Sequence, residues 1–225
     1  MTMQNQPMEV LPAVTDKSLN LYSKQTAIAR EKVLNSDSIP HISTDDVRRI
    51  ADVAGLGKHG YRDRLLVIAL FDGALRVSEC LAIVPGRITR TPDGCVIKDV
   101  QGKSYKGNLR VGDVAISSSL YSELLVYCRN FNIGKDERIF PFSRTRAFQI
   151  IQSAMDKAGI RKPDHVGAVH VLRHSGCIER LRATGNPRAV QVQLRHKNAA
   201  MTLRYMKTLS DEESLKIQQG VDFKW

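Results

Sequence analysis

No apolar run in this 225-residue chain is long enough to span a bilayer, and its first residues lack the basic-then-apolar pattern of a secretory leader. Both absences point to a cytoplasmic protein without a membrane partner. Paired cysteines are missing too. The four present, Cys80, Cys95, Cys128 and Cys177, are scattered with no CxxC spacing. That argues for thiols buried in the core of a protein in a reducing compartment, and against a disulfide framework or a zinc ribbon. No internal repeat and no low-complexity tract interrupts the sequence. A hydrophobic fraction of 42% with 25% charged residues leaves an ordinary globular domain plus an arm.

Acid is scarce where it matters. Lys and Arg number 34 against 23 Asp and Glu, a net charge of +11. Residues 1–40 hold four of each sign, so the whole excess falls in 41–225. Within 161–207, ten basic side chains face only Asp164 and Glu179. A surface of this kind attracts polyphosphate and releases its condensed counterions on binding. The plain alternative is a solvated basic face with no nucleic-acid partner.

Residues 1–40 are polar and interrupted by Pro7, Pro12 and Pro40. They read as a mobile arm with one short helix around 18–34. Ser43 or Thr44 then caps a helix over TDDVRRIADVA, whose first turn is acidic as the helix dipole prefers. A strongly apolar helix, RDRLLVIALFDGA, follows, and a second short helical piece, ALRVSECLAIV, ends at Pro85-Gly86. The period then changes to that of strands. RITR, GCVIKDV and NLRVGDVAIS, parted by Pro92-Asp93-Gly94 and by the basic turn 102–107, read as a three-stranded antiparallel sheet. Helical periodicity returns at 118–131, 144–158, 168–183, 187–194, 199–207 and 211–219. The fold class is therefore mainly α with a small three-stranded antiparallel sheet (α+β).

The segment HVLRHSGCIERL puts His170, Arg173, His174 and Cys177 within an arc of about 100° on one helix face. Two imidazoles and a guanidinium side by side suit an anion lying between them, since Arg offers a planar fork and His a movable proton. The spacing of His170 and His174 also fits a helical metal pair. No HExxH glutamate or third ligand accompanies it, so no metal or cofactor is expected. Downstream come His196 and, nine residues later, Tyr205, set between Arg204 and Lys207. A lone helical tyrosine usually packs its ring and points its hydroxyl at water. Here the basic setting favours the phenolate and keeps a phosphate near.

In order, Arg76 in GALRVSE, Lys103 in QGKSYKG, His170 and Arg173 in HVLRHS, His196 in LRH and Tyr205 in MTLRYMK resemble the catalytic series of the tyrosine recombinase (phage integrase) family. The intervals are similar as well: 94 residues from Arg76 to His170, 26 to His196 and 9 to Tyr205. The resemblance covers about residues 41–207 as a catalytic domain, with 208–225 as a tail helix that packs on its own domain or on a neighbouring subunit. It implies a site-specific recombinase that cleaves and rejoins double-stranded DNA through a 3′-phosphotyrosyl intermediate. Tyr205 would be the nucleophile, Arg76 and Arg173 the phosphate clamp, and Lys103 (with Lys106 as its rival) the general acid. His170 would assist proton transfer and His196 would hydrogen-bond the phosphate. Glu79 and His174 are expected to support these groups. Lys106, Arg195, Lys197, Arg204 and Lys207 are expected to contact DNA. The implied partners are specific recombination sites, a homotetramer on DNA and accessory DNA-bending proteins.

Three departures stand out. Arg195 occupies the place where the family usually has glycine before the second histidine, and Lys207 the place of a frequent histidine. The arm of forty residues is too short for the usual core-binding domain, which likens the chain to short members such as the fimbrial phase-variation invertases. The competing readings are a DNA-binding regulator that keeps the fold without the chemistry, a type IB topoisomerase and, more distantly, a zinc hydrolase.

Overall fold

The computed structural model describes residues 39–102, 111–196 and 198–220. The expected arm helix, the turn with Lys103 and Lys106, Lys197 and residues 221–225 lie outside the described residues.

Helix α1 (Thr44–Gly55) starts at a reciprocal cap. The Ser43 hydroxyl accepts the Asp46 N–H at 3.1 Å, and the Asp46 carboxylate accepts the Ser43 N–H at 3.3 Å. Val47, Ile50, Ala51 and Ala54 recur at helical spacing and form its buried stripe against α2 (Gly60–Asp72). In α2, Leu65, Leu66, Val67, Ala69 and Leu70 are all buried, as the apolar middle of this helix requires.

The second short helix is shorter than its sequence suggests. Only Val77–Cys80 form a helical turn, α3. Residues beyond it leave the helix because Ile83 is buried and its carbonyl accepts the backbone N–H of Ile139 at 3.1 Å, a long-range bond that competes with helix continuation.

After a 3-10 turn at Pro85–Arg87 come β1 (Ile88–Thr91), β2 (Gly94–Gln101) and β3 (Val111–Ile116), antiparallel in the order β1-β2-β3. Register places Thr91 opposite Gly94, Val96 opposite Ala115 and Val100 opposite Gly112. A bulge shifts the register between Ile97 and Val100, with Asp99 at φ 53° and its N–H held by the Asp113 carboxylate. The extra residue keeps Cys95, Ile97 and Val100 on one buried face although the last step is three residues.

The remaining helices are α4 (Ser118–Asn130), α5 (Arg144–Lys157), α6 (Ala168–Thr184), α7 (Pro187–Leu194), α8 (Ala199–Met206) and α9 (Asp211–Gln219). Ser117, Ser143, Asn186, Asn198 and Ser210 cap five of them with side-chain oxygens. Helix α9 lies against the end of α6. Glu213 pairs with Arg182 Nε at 2.8 Å, and Ile217 covers Gly185, the left-handed C-cap of α6.

A large core joins α1, α2, α4, α5, the first half of α6 and the sheet. A smaller one gathers Ile39, Ala74, Cys177, Ile178, Leu181, Val190, Leu194 and Tyr205. Gly176 is what allows α6 to cross the end of α2. A Cβ there would lie 1.8 Å from the Phe71 carbonyl oxygen. Gln193 ties α7 to this junction, since its amide donates to the Gly73 and Ala115 carbonyls at 3.1 and 2.9 Å and accepts the Ala115 N–H at 3.0 Å.

Candidate active site

The turn after α2 sets the first cation. Ala74 takes a left-handed backbone, φ 47°, and Arg76 becomes the residue before α3. Its N–H donates to Glu79 Oε2 at 2.8 Å while its own Nη1 reaches Oε1 at 2.7 Å. The Glu79 side chain is wholly buried. Because Gly176 brings α6 close, Arg173 arrives beside the same carboxylate. Its Nη1 donates to the Ala74 carbonyl at 2.6 Å and stands 3.3 Å from Glu79 Oε2, and its Nη2 reaches the Leu194 carbonyl at 3.5 Å.

A third guanidinium completes the group. Helix α7 ends at Arg195 in left-handed conformation, φ 54° and ψ 39°. The side chain is turned inward, and Nη2 lies 2.6 Å from Glu79 Oε2. The side chain is 7% exposed, and its Nη1 donates to the Gln193 carbonyl at 3.0 Å. Burial works to raise the Glu79 carboxyl, but Arg195 and Arg173 outweigh it and hold it below the usual carboxylate range. Arg173 is brought down to about 10 by burial and by Arg76, with Glu79 opposing.

The histidines are divided. His196 follows the α7 cap, and its Nδ1 pairs with Thr202 Oγ1 of α8 at 2.9 Å, which fixes the ring and leaves Nε2 facing the other way. Burial and the charges of Arg173, Arg76 and Arg195 lower it to about 4, so the ring is neutral. His174 is likewise lowered to about 4, by burial and by His170 and Arg173. Its Nδ1 is 2.9 Å from the Tyr205 hydroxyl. His170 is exposed at the rim, with its ring centre 6.3 Å from that of His174. The imidazole bonded to the tyrosine is thus His174, one turn along from the expected His170.

Tyr205 is 5% exposed, and its ring stacks 6.2 Å from His196. The phenolate expected from its basic neighbours is not what the fold favours. Burial and the nearby Cys177 push the hydroxyl above its ordinary value, and Arg173 and Arg76 oppose this only in part. The neighbouring Cys177 thiol is itself raised to about 12 by burial. The cations flanking Tyr205 in sequence, Arg204 and Lys207, are exposed, and Arg204 adds to the charges that lower His174.

The fold therefore brings together Arg76, Glu79, Arg173, His174, Arg195, His196 and Tyr205 from four segments of the chain. Lys103, Lys106 and Lys197 lie outside the described residues. Thr202 and Cys177 as partners of His196 and Tyr205 carried no signal of that role in the sequence. Among the described residues, no three His, Cys, Asp or Glu side chains are grouped closely enough to hold a metal ion. Three guanidiniums around one carboxylate leave two positive charges in a largely buried pocket, a setting that attracts a phosphate.

Residues 40–212 match the model of the phage integrase family. The chain is 25% identical over 210 residues to the tyrosine recombinase XerD of Corynebacterium glutamicum, covering 90% of this chain and 63% of that protein. The solved structure of XerA recombinase shares the fold with a TM-score of 0.61 at 22% identity, over 83% of this chain and 65% of that one. The XerH site-specific recombinase, in a pre-cleavage complex with its difH substrate, aligns with a TM-score of 0.60 at 18% identity, over 81% and 54%. The chain spans less than two thirds of the length of each of these proteins.

Proposed function

We propose, for a chain that belongs to the phage integrase family, that it cleaves and rejoins DNA strands at specific sites through a covalent tyrosyl intermediate. The observation that carries this reading is the convergence of Arg76, Arg173 and Arg195 on Glu79 beside the buried hydroxyl of Tyr205. A cluster with surplus positive charge, a nucleophile and neutral imidazoles meets the needs of phosphodiester transfer. The fold shared with XerH, whose structure contains difH substrate, supports DNA as the partner.

In the reaction, the Tyr205 oxygen bonds to the scissile phosphorus as the bond from phosphorus to the 5′ oxygen breaks. The phenolic proton passes to an imidazole, with His174 already at hydrogen-bond distance. Arg76 and Arg173 meet the charge on the non-bridging oxygens. Lys103, or Lys106 as the alternative, supplies the proton to the leaving 5′ oxygen. His196 presents Nε2 to the phosphate, and Arg204, Lys197 and Lys207 meet the DNA backbone. The phosphotyrosyl ester keeps the energy of the bond it replaces, so attack by a second 5′ hydroxyl rejoins the strand without a cofactor. Assembly as a tetramer on DNA, aided by DNA-bending proteins, completes the proposal.

The test is covalent capture. The protein is mixed with a randomised pool of nicked duplexes and denatured in detergent, and the DNA held by protein is counted. Wild type is expected to retain DNA and Tyr205→Phe to retain none. Retention by the Phe variant, or none by wild type, would overturn the reading.

A further inference from the structure

Arg195 pays a conformational cost that a glycine would avoid. At φ 54° and ψ 39° its Cβ crowds its own backbone, and the side chain is then almost fully withdrawn from water. Its stem crosses β3 at Gly112, where an added Cβ would lie 3.2 Å from Arg195 Cδ. The strained residue is thereby aimed along one path, to Glu79.

At that end the distances differ. Glu79 Oε1 is taken by Arg76 Nη1 at 2.7 Å. Oε2 is met by the Arg76 N–H at 2.8 Å and by Arg195 Nη2 at 2.6 Å, whereas Arg173 stays back at 3.3 Å. Arg76 and Arg195 thus stand closer to the carboxylate than Arg173, which also donates to Oε2.

We propose that Arg195 is a positioning residue of the phosphate-binding site. By occupying Glu79 Oε2, it keeps that carboxylate from closing on Arg173 and leaves the Arg173 charge available to a phosphate. Arg195 acts through Glu79 and does not itself touch the substrate. The local charge fits this role. With Arg195 present, the three guanidiniums and one carboxylate sum to +2, and without it to +1 with Arg173 neutralised by Glu79. His196, Tyr205, Cys177 and Cys80 around them are uncharged near neutral pH. This inference rests on the proposed phosphate chemistry but can be tested without knowing the DNA site.

The probe is inorganic phosphate, titrated into the full chain while the ring signals of His196 are followed by NMR. Arg195→Gly suits the left-handed backbone, and a thermal melt verifies that it folds. Should it not, Arg195→Asn, which tolerates the same backbone, replaces it. The neutral variant is expected to bind phosphate more weakly, on the order of tenfold, because one unit charge beside the site is lost. Arg195→Lys restores a cation and is expected to recover most of the binding. In Arg195→Gly the His196 pKa rises, since Arg195 is one of the charges that lower it. Unchanged phosphate binding in Arg195→Gly would overturn the proposal, whatever the His196 pKa does. So would an Arg195→Lys variant as weak as the glycine one, which would mean that shape and not charge is at work. Failure of covalent capture by Tyr205 would strike the strand-transfer reading alone, because the phosphate titration involves no DNA.

Discussion

The Tyr205 hydroxyl lies 2.9 Å from Nδ1 of His174, so the proposed nucleophile and its nearest proton acceptor are already joined before any DNA is bound. Neither group is charged in this state. His174 is lowered to about 4 and Tyr205 is raised, both chiefly by burial.

Acid should therefore unfold the protein through its histidines. A histidine with a folded value near 4 and an ordinary value of 6.5 takes up protons more readily when unfolded. Its contribution to stability is full above about pH 6.5 and is lost as pH falls through about 4. With solvent screening of these partly exposed rings, His174 and His196 contribute on the order of 1 kcal/mol each. Melting temperature measured across this window is expected to fall, and His174→Gln to flatten part of that fall.

Tyr205 should resist ionisation. Ultraviolet titration of wild type against Tyr205→Phe is expected to show no difference in phenolate absorbance at pH 10, the ordinary tyrosine midpoint. A difference appearing below that pH would contradict the buried, neutral phenol.

Replacing Glu79 by Gln should strand three guanidiniums around a neutral amide. Breaking a buried charge cluster in this way costs about 3 kcal/mol or more, read as a lower melting temperature. Added inorganic phosphate is expected to raise the melting temperature of Glu79→Gln more than that of wild type, because the anion replaces the lost carboxylate.

Gly176→Ala should be strongly damaging. Its methyl group would sit 1.8 Å from the Phe71 carbonyl oxygen, and α6 would have to move away from α2. A loss of about 3 kcal/mol in denaturant unfolding is expected, and phosphate binding should weaken with it because Arg173 rides on α6.

Much of the fold was legible because it is written in local periodicity. Helices α4 to α9 begin where the sequence places them and end within one residue, since their starts carry Ser, Asn or Gly-adjacent caps. The three strands and the turn at Pro92-Asp93 are also where β-branched alternation puts them. The bulge at Asp99 and the early end of α3 were not legible, because each depends on a partner far along the chain, Asp113 in one case and Ile139 in the other. At the site, the residue order pointed to Arg76, Arg173, His196 and Tyr205 but not to their charge states. A basic neighbourhood in sequence suggested a phenolate, whereas Arg204 and Lys207 are exposed and burial is the largest influence on the hydroxyl. Glu79 is three residues from Arg76, and that spacing alone could not reveal that Arg173 and Arg195 share it.

The smaller core has a consequence for how reactivity and durability are linked. Tyr205 is one of its eight buried members, wedged among Ile39, Ala74, Cys177 and Leu194. A proposed nucleophile that also fills a hydrophobic niche cannot change its reach unless that niche loosens. Mild heat or low denaturant, which opens weakly held regions ahead of the whole, is expected to act first on this smaller core. The chain should thus lose or alter its chemistry before it loses its shape, and substitutions that tighten the niche should make a sturdier but slower protein.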